Sequence, residues 1–145
     1  METAHETAHG PAVENKRLMQ RICGELAKGN GKPFVESLAD DFVWTLVGTT
    51  AWSGTYRGKR NVVDRLLKPL FAQFDGPYTN TAQRFIAEGD LVVVECRGRV
   101  ATRSGKRYDN TYCWVCRIAD GKLRELTEYM DTQLMAEALD DPTPA

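Results

Sequence analysis

Leu91-Val-Val-Val-Glu-Cys-Arg-Gly-Arg-Val100, a break at Ser104-Gly105, Tyr108-Asp-Asn-Thr-Tyr-Cys-Trp-Val-Cys-Arg-Ile118, a break at Asp120-Gly121, and Lys122-Leu-Arg-Glu-Leu-Thr-Glu-Tyr-Met-Asp131 make up the stretch whose reading decides the fold. Three β-rich runs punctuated by Ser-Gly and Asp-Gly predict an antiparallel meander. The charges within it mark where chemistry could lie, and the two turns decide which face each charge takes.

A two-residue loop at Ser104-Gly105 puts Arg103 opposite Lys106, Arg99 opposite Asn110, Arg97 opposite Tyr112 and Glu95 opposite Trp114, all on one face. For the second turn, a three-residue loop Ala119-Asp120-Gly121 with Gly121 left-handed suits the terminal glycine. It puts Glu128 opposite Tyr112, on the face of Glu95 and Arg97. A two-residue loop would turn Glu128 to the other face and bring Asp131 beside Asn110, so Asp131 stays a lower-ranked candidate.

The preferred register gathers Glu95, Arg97 and Glu128 as candidate catalytic residues among Asn110, Tyr112, Trp114, Leu126 and Met130, which would line a small-molecule site. The alternative is the wetted face of a half-exposed sheet, with Glu95, Arg97 and Arg99 in water. Tyr112 and Trp114 on that face require cover. Val92, Val94, Cys96 and Val100 make the opposite face apolar as well, so helices should cover one side and a partner subunit could cover the other.

Working outward, Leu18, Ile22 and Leu26, with Met19 and Cys23 beside them, predict an amphipathic helix over 13–27, stopped by Gly29-Asn30-Gly31. Pro33 opens a short second helix over 34–38, and 42–47 is the first strand. Residues 48–58 read as a loop folding Trp52 and Tyr56 back over the body. Val62, Val63, Leu66, Leu67, Leu70, Phe71 and Phe74 give a third helix from Lys59, which Pro69 should kink or end. A strand over 78–87 precedes the meander, and 134–139 is a helical tail. The sum is an α+β fold: a curved, cone-shaped antiparallel sheet wrapped around N-terminal helices, with an internal pocket. One domain spans 13–140, between a disordered tail over 1–12 and a flexible end over 141–145.

With 145 residues, 42% of them apolar and 27% charged, the chain can bury a core and a pocket. A net charge of −1 with dispersed Lys and Arg argues against nucleic acid or an anionic membrane as partner. No apolar run approaches the roughly 20 residues a bilayer requires. The repeat Glu-Thr-Ala-His at the N-terminus lacks the basic start and apolar centre of a secretory signal, which points to the cytoplasm. Cys113-Trp-Val-Cys116 has redox or zinc spacing but lies in a strand, where residues three apart face opposite ways. No metal site is expected, and the four cysteines are expected as buried free thiols. Cys96 and Cys113 would still be close enough for a disulfide. The histidines, His5 and His9, both lie in the tail, which sets aside Ser-His-Asp and Cys-His catalysis.

Ala39-Asp40-Asp41-Phe42-Val43-Trp44, Ser53-Gly54-Thr55-Tyr56-Arg57-Gly58-Lys59, and Asp120-Gly121-Lys122 ahead of Glu128-Tyr129-Met130-Asp131 resemble the nuclear transport factor 2-like superfamily. Within it, the sequence is most similar to SnoaL-like proteins, the group around polyketide cyclases, ketosteroid isomerase and limonene epoxide hydrolase. The positions matching the isomerase's base and oxyanion pair hold Thr45, Ile22 and Cys113, which cannot perform that chemistry. Those matching the hydrolase's arginine and two aspartates hold Glu95, Arg97 and Glu128, and its water-holding tyrosine and asparagine fall on Trp44 and Leu46. The resemblance implies a homodimer and a cofactor-free, metal-free acid/base enzyme of isomerase, cyclase or hydrolase type. Its small apolar substrate would be walled by Trp44, Trp52, Tyr56 and Trp114. A non-catalytic binding or dimerisation module of the same fold is the other implication, with the charged trio as a structural ion network.

Overall fold

The computed structural model describes residues 10–142, so the two histidines and most of the expected tails lie outside the described residues. Helix α1, Pro11–Leu26, is followed by α2, Lys32–Ser37, and strand β1, Leu38–Leu46. Strand β2, Gly54–Arg57, lies in the segment expected to be all loop. A helical segment then runs through α3, Lys59–Val62, a π-helical turn, Val63–Leu67, and α4, Lys68–Phe71. The meander is β3, Phe74–Glu88, β4, Leu91–Thr102, β5, Thr111–Ala119, and β6, Lys122–Met130, and α5, Thr132–Ala138, closes the chain.

The six strands lie in the order β2-β1-β6-β5-β4-β3. The sheet is mixed rather than antiparallel throughout, because β1 joins β6 in parallel, Trp44 beside Leu126 and Leu46 beside Glu128. Such a pair needs a long connection, and the rest of the fold between Leu46 and Lys122 supplies it. The apolar stripe of α1, Met19, Ile22, Cys23 and Leu26, is buried, and α1 packs on β3 and β4.

The third helical segment continues past Pro69 to Phe71, but its regular α-helical winding is interrupted by the π-helical turn just before the proline. Its ring would strike the carbonyl four residues back, Arg65, and it has no N–H to donate there. Arg65 lies inside the π-helical turn, whose wider winding takes up that mismatch. Among the described residues no helix is long and apolar enough to cross a bilayer.

The two hairpin turns exchange the lengths expected of them. Thr102 pairs with Lys106 through a backbone bond of 2.7 Å, leaving three loop residues, Arg103, Ser104 and Gly105, with only Gly105 at positive φ (87°). Thr102 Oγ1 holds this turn by accepting from Lys106 N at 3.1 Å and meeting Ser104 Oγ at 2.8 Å. A two-residue turn of type I′ needs positive φ at both positions, which serine resists. Asp120 and Gly121 do form one, with φ of 55° and 71°. A bulge at Arg124, where the register shifts between Arg117/Glu125 and Ile118/Leu123, then reverses the faces of β6 again.

The register of β4 on β5 is therefore one residue from the expected one. Glu95 lies opposite Cys113, Cys96 opposite Tyr112 and Val94 opposite Trp114. Cys96 thus faces inward and Cys113 outward, so the conceivable disulfide does not form, and the four cysteines are free.

Candidate functional site

Between the helices and the inner sheet face lies a cavity of about 330 Å³. Its inner wall is Phe34 from α2, Trp44 and Leu46 from β1, Tyr112 and Trp114 from β5, Leu66 from the π-helical turn, and Tyr108. The exposed Gly29, Gly31, Lys32, Lys68 and Phe71 form its rim. Phe34 holds Trp44 and Trp114 together, with ring centroids 5.6 and 6.1 Å away. The Trp44 Nε1 has no polar partner among the described residues and lies amid Phe34 and Phe42, ring edges against faces.

One carboxylate lines this cavity, that of Glu128, only 6% exposed. The bulge at Arg124 brings it to the inner face, and the register puts it beside Trp114, whose Nε1–H donates to Oε1 at 2.8 Å. Burial lifts its pKa from 4.5 to about 7, against the opposing effect of the indole donor. Glu128 is therefore divided between acid and carboxylate near neutral pH.

Three phenols share the cavity with it, those of Tyr78, Tyr108 and Tyr112. The hydroxyls of Tyr78 and Tyr108 both lie against that of Tyr112. Burial raises all three, Tyr108 to about 12, so each keeps its proton. Asn110 Nδ2 donates to Tyr108 at 3.3 Å, and Asn80 Nδ2 to Tyr78 at 3.0 Å.

The expected trio does not come together. The three-residue turn at Arg103-Ser104-Gly105 sends Glu95 and Arg97 to the outer face, where Glu95 is ion-paired with its cross-strand neighbour Arg84 and Arg97 is exposed. Arg99 is exposed as well. Asp131 neither reaches the cavity nor faces the sheet: it caps α5, its Oδ1 accepting from Leu134 N at 3.1 Å.

Of the expected lining residues, Trp44, Tyr112 and Trp114 reach the cavity. Trp52 is 1% exposed but donates from Nε1 to the Asp140 carbonyl at 2.9 Å, and Tyr56 donates to the Trp52 carbonyl at 2.7 Å. Both fasten loop and C-terminal segment instead of lining the cavity. Asn110, fully buried, accepts from Thr111 N and Asp131 N while its amide donates to the Asp131 carbonyl at 3.0 Å. That clamp joins the start of β5 to the end of β6. Leu126 is core, and Met130 receives the Tyr108 hydroxyl proton on sulfur at 3.9 Å.

Sequence reasoning missed Tyr78, Tyr108 and Phe34. Tyr108 sits between a β-bridge, Ala101 with Arg107, and the start of β5. Strand alternation therefore does not predict where it points. Tyr78 is carried inward by a bulge in β3, whose register on β4 shifts twice, so counting along the strand does not predict its place either. Cys113 and Cys116 face opposite sides of β5, and among the described residues no three His, Cys, Asp or Glu gather as metal ligands.

The model of the SnoaL-like domain matches residues 19–126. An uncharacterised protein of Mycobacterium tuberculosis is 28% identical over 112 residues, covering 77% of this chain and 85% of its own. A SnoaL-like polyketide cyclase from a Jannaschia species superposes with a TM-score of 0.72 at 19% identity, covering 91% of this chain and 95% of its own. TerC, co-crystallised with polyporic acid, superposes with a TM-score of 0.72 at 19% identity, covering 89% and 98%.

Proposed function

Since the chain belongs to the SnoaL-like domain family, whose fold includes polyketide cyclases and isomerases, we propose that it is a cofactor-independent acid/base enzyme for a largely apolar small molecule, with Glu128 moving the proton. The observation that carries this reading is a single carboxylate in an apolar cavity, poised at about 7. Such a group is a base strong enough to take a proton and an acid weak enough to return it.

The step that suits it is removal of a proton from a carbon next to a carbonyl. The C–H bond breaks, its proton goes to Glu128, the electron pair forms a carbon–carbon double bond, and the carbonyl π pair moves onto oxygen. Return of the proton to another carbon isomerises the substrate, and attack of the new enolate on a second carbonyl closes a ring. Hydrolysis fits less well, because Arg97 and Glu95, which were expected to share in activating water, lie on the other face of the sheet.

Deuterium exchange tests the step without knowledge of the natural substrate. Wild-type protein with β-tetralone in heavy water should speed exchange of the α-protons, followed by proton NMR, with a pH profile that bends near 7. Glu128→Gln should lower the rate by about 100-fold or more. Exchange by the glutamine variant at the wild-type rate would sink the proposal. Bound β-tetralone that the wild type never exchanges would favour a non-catalytic ligand carrier, the reading that the apolar lining supports.

The expected homodimer belongs to the same proposal. Ile86, Val93, Val115 and Thr127 align across the outer faces of β3 to β6, Ile86 being 53% exposed, an apolar strip that a second copy would cover. Sedimentation should give the mass of two chains, and Val115→Arg should give one. A wild type that sediments as one chain refutes it.

A further inference from the structure

The cavity opens between the α1–α2 connection and the third helical segment, and the charged residues that line its mouth are both cations. Lys32 stands on one bank and Lys68 on the other, while the remaining rim residues, Gly29, Gly31 and Phe71, carry no charge. Deeper in, Glu128 is the one charged residue of the lining. Lys32 opens α2, whose Phe34 and Val35 form part of the wall, so its four-carbon stem begins at the edge of the cavity and its ammonium stands in water. The backbone there is held in place: Asn30 Oδ1 accepts from Lys32 N at 3.2 Å, and Asn30 Nδ2 donates to Glu25 Oε1 at 3.0 Å. Gly31 leaves the adjoining space open, since a Cβ there would meet nothing nearer than Leu26 Cδ2 at 4.0 Å.

The two lysines are not equivalent. Lys68 Nζ pairs with Asp64 Oδ1 at 3.2 Å, and Arg60 reaches the same carboxylate at 3.8 Å. Lys32 Nζ makes no ion pair or hydrogen bond among the described residues, not even with Glu36 four residues on in α2. Glu25, in the helix that leads to the same connection, is already engaged by Lys28 Nζ at 3.2 Å and by Asn30. The mouth therefore keeps an uncommitted positive charge beside an apolar hollow. A carboxylate carried deeper would give up its water among aromatic rings and approach Glu128, whereas at the mouth it keeps water and gains the ammonium. A ligand apolar at one end and anionic at the other has one favoured orientation, body inside and anion at the mouth.

We propose that Lys32 is a specificity-determining residue and that the substrate is an amphipathic acid, whose apolar body fills the cavity while its carboxylate lies at the mouth beside Lys32. This rests on the reading of the cavity as a small-molecule site with Glu128 at work inside it, and it adds which end of the molecule enters first. The acid group takes no part in the reaction at the buried end and leaves unchanged. Lysine suits the task, because a compact point charge on a flexible stem holds a carboxylate without fixing its angle. Acids that differ modestly in length would be accepted alike. Lys68 adds less, since Asp64 already neutralises it.

Displacement of β-naphthol, a fluorescent neutral ligand for the cavity, tests it below pH 7, where Glu128 mostly holds its proton. The competitors are naphthylpropanoate and its uncharged amide, alike in shape, with a spacer that lets the acid reach the mouth while the rings stay inside. Wild type should bind the acid about fivefold more tightly than the amide at low salt, the upper range for one exposed ion pair. Sodium chloride at about 1 M should remove the difference. Lys32→Met, which keeps the stem, should remove it as well, and Lys32→Glu should reverse it. Lys68→Met should reduce it by about twofold or less. Lys32 and Lys68 are both exposed, so these variants should fold, which urea unfolding checks. A wild type that binds amide and acid equally overturns the proposal. So does an acid preference that survives in both Lys32 variants, or one that Lys68→Met abolishes while Lys32→Met leaves it intact. The readout is an equilibrium and needs no turnover. An acid preference lost in Lys32→Met, beside a Glu128→Gln protein that exchanges β-tetralone at the wild-type rate, would uphold Lys32 and sink the role of Glu128.

Discussion

Replacing Glu128 with glutamine is expected to make the protein more stable in alkaline solution and to flatten the dependence of its stability on pH. In the folded state burial holds the carboxyl at about 7, whereas the unfolded chain releases its proton near 4.5. Between those values the native protein holds a proton that the unfolded chain has lost, so stability falls as pH rises through that window and levels off above about 7. One pH unit of separation is worth about 1.4 kcal/mol, so the whole decline amounts to about 3 kcal/mol. That is a large share of the 5–15 kcal/mol that roughly covers a domain's total stability. Glutamine cannot ionise and can still accept from Trp114 Nε1, so the difference between the two proteins should grow from pH 4.5 to about 7. Part of the gain will be lost to the new amide protons, which have few acceptors in the cavity. Urea unfolding across pH measures it. Parallel curves for wild type and variant would show that Glu128 is neither dry nor poised.

Truncating Trp52 to alanine should cost about 3–5 kcal/mol, the range for removing a large buried aromatic. The reason is specific to its setting. Trp52 Nε1 and Gln73 Nε2 both donate to the Asp140 carbonyl, at 2.9 and 3.0 Å, and Asp140 N donates to Gln73 Oε1 at 2.8 Å. Loss of the indole empties a fully enclosed site and releases one tie on the segment after α5. Trp52→Phe keeps most of the volume and should lose about 1–2 kcal/mol, chiefly the hydrogen bond. Because Trp52 does not line the cavity, the phenylalanine variant should bind β-naphthol as the wild type does. A Trp52→Ala protein that unfolds within about 1 kcal/mol of wild type, or a Trp52→Phe protein that loses naphthol, would contradict this assignment.

The two tryptophans Trp44 and Trp52 show what composition can and cannot say. Both are large, apolar and buried, and both were natural choices for a pocket wall. Trp44 alternates in a strand and so faces the cavity. Trp52 lies in a turn where Thr50 Oγ1 meets Ser53 Oγ at 2.9 Å, a local arrangement that aims the side chain elsewhere. Asn110 and Asp131 were candidates for polarity within the site, yet the backbone claims both, one as a strand clamp and the other as a helix cap.

The amphipathic stripe of α1, the third helical segment, the meander and the α+β class were legible in the sequence, because they depend on periodicity and on breakers a few residues apart. So was the placing of Glu128 on one face with Tyr112 and Trp114, although by different turns from those that produce it. Which charges accompany Glu128 was not legible. Each added turn or bulge residue reverses every later side chain, and Ser104-Gly105 took one more residue than expected because serine resists the left-handed conformation. The parallel seating of β1 on β6 and the carriage of Tyr78 over Gly98 join residues far apart in the chain. Only the folded sheet brings them within reach, and only the exclusion of water from its inner face turns an ordinary glutamate into one poised near neutrality.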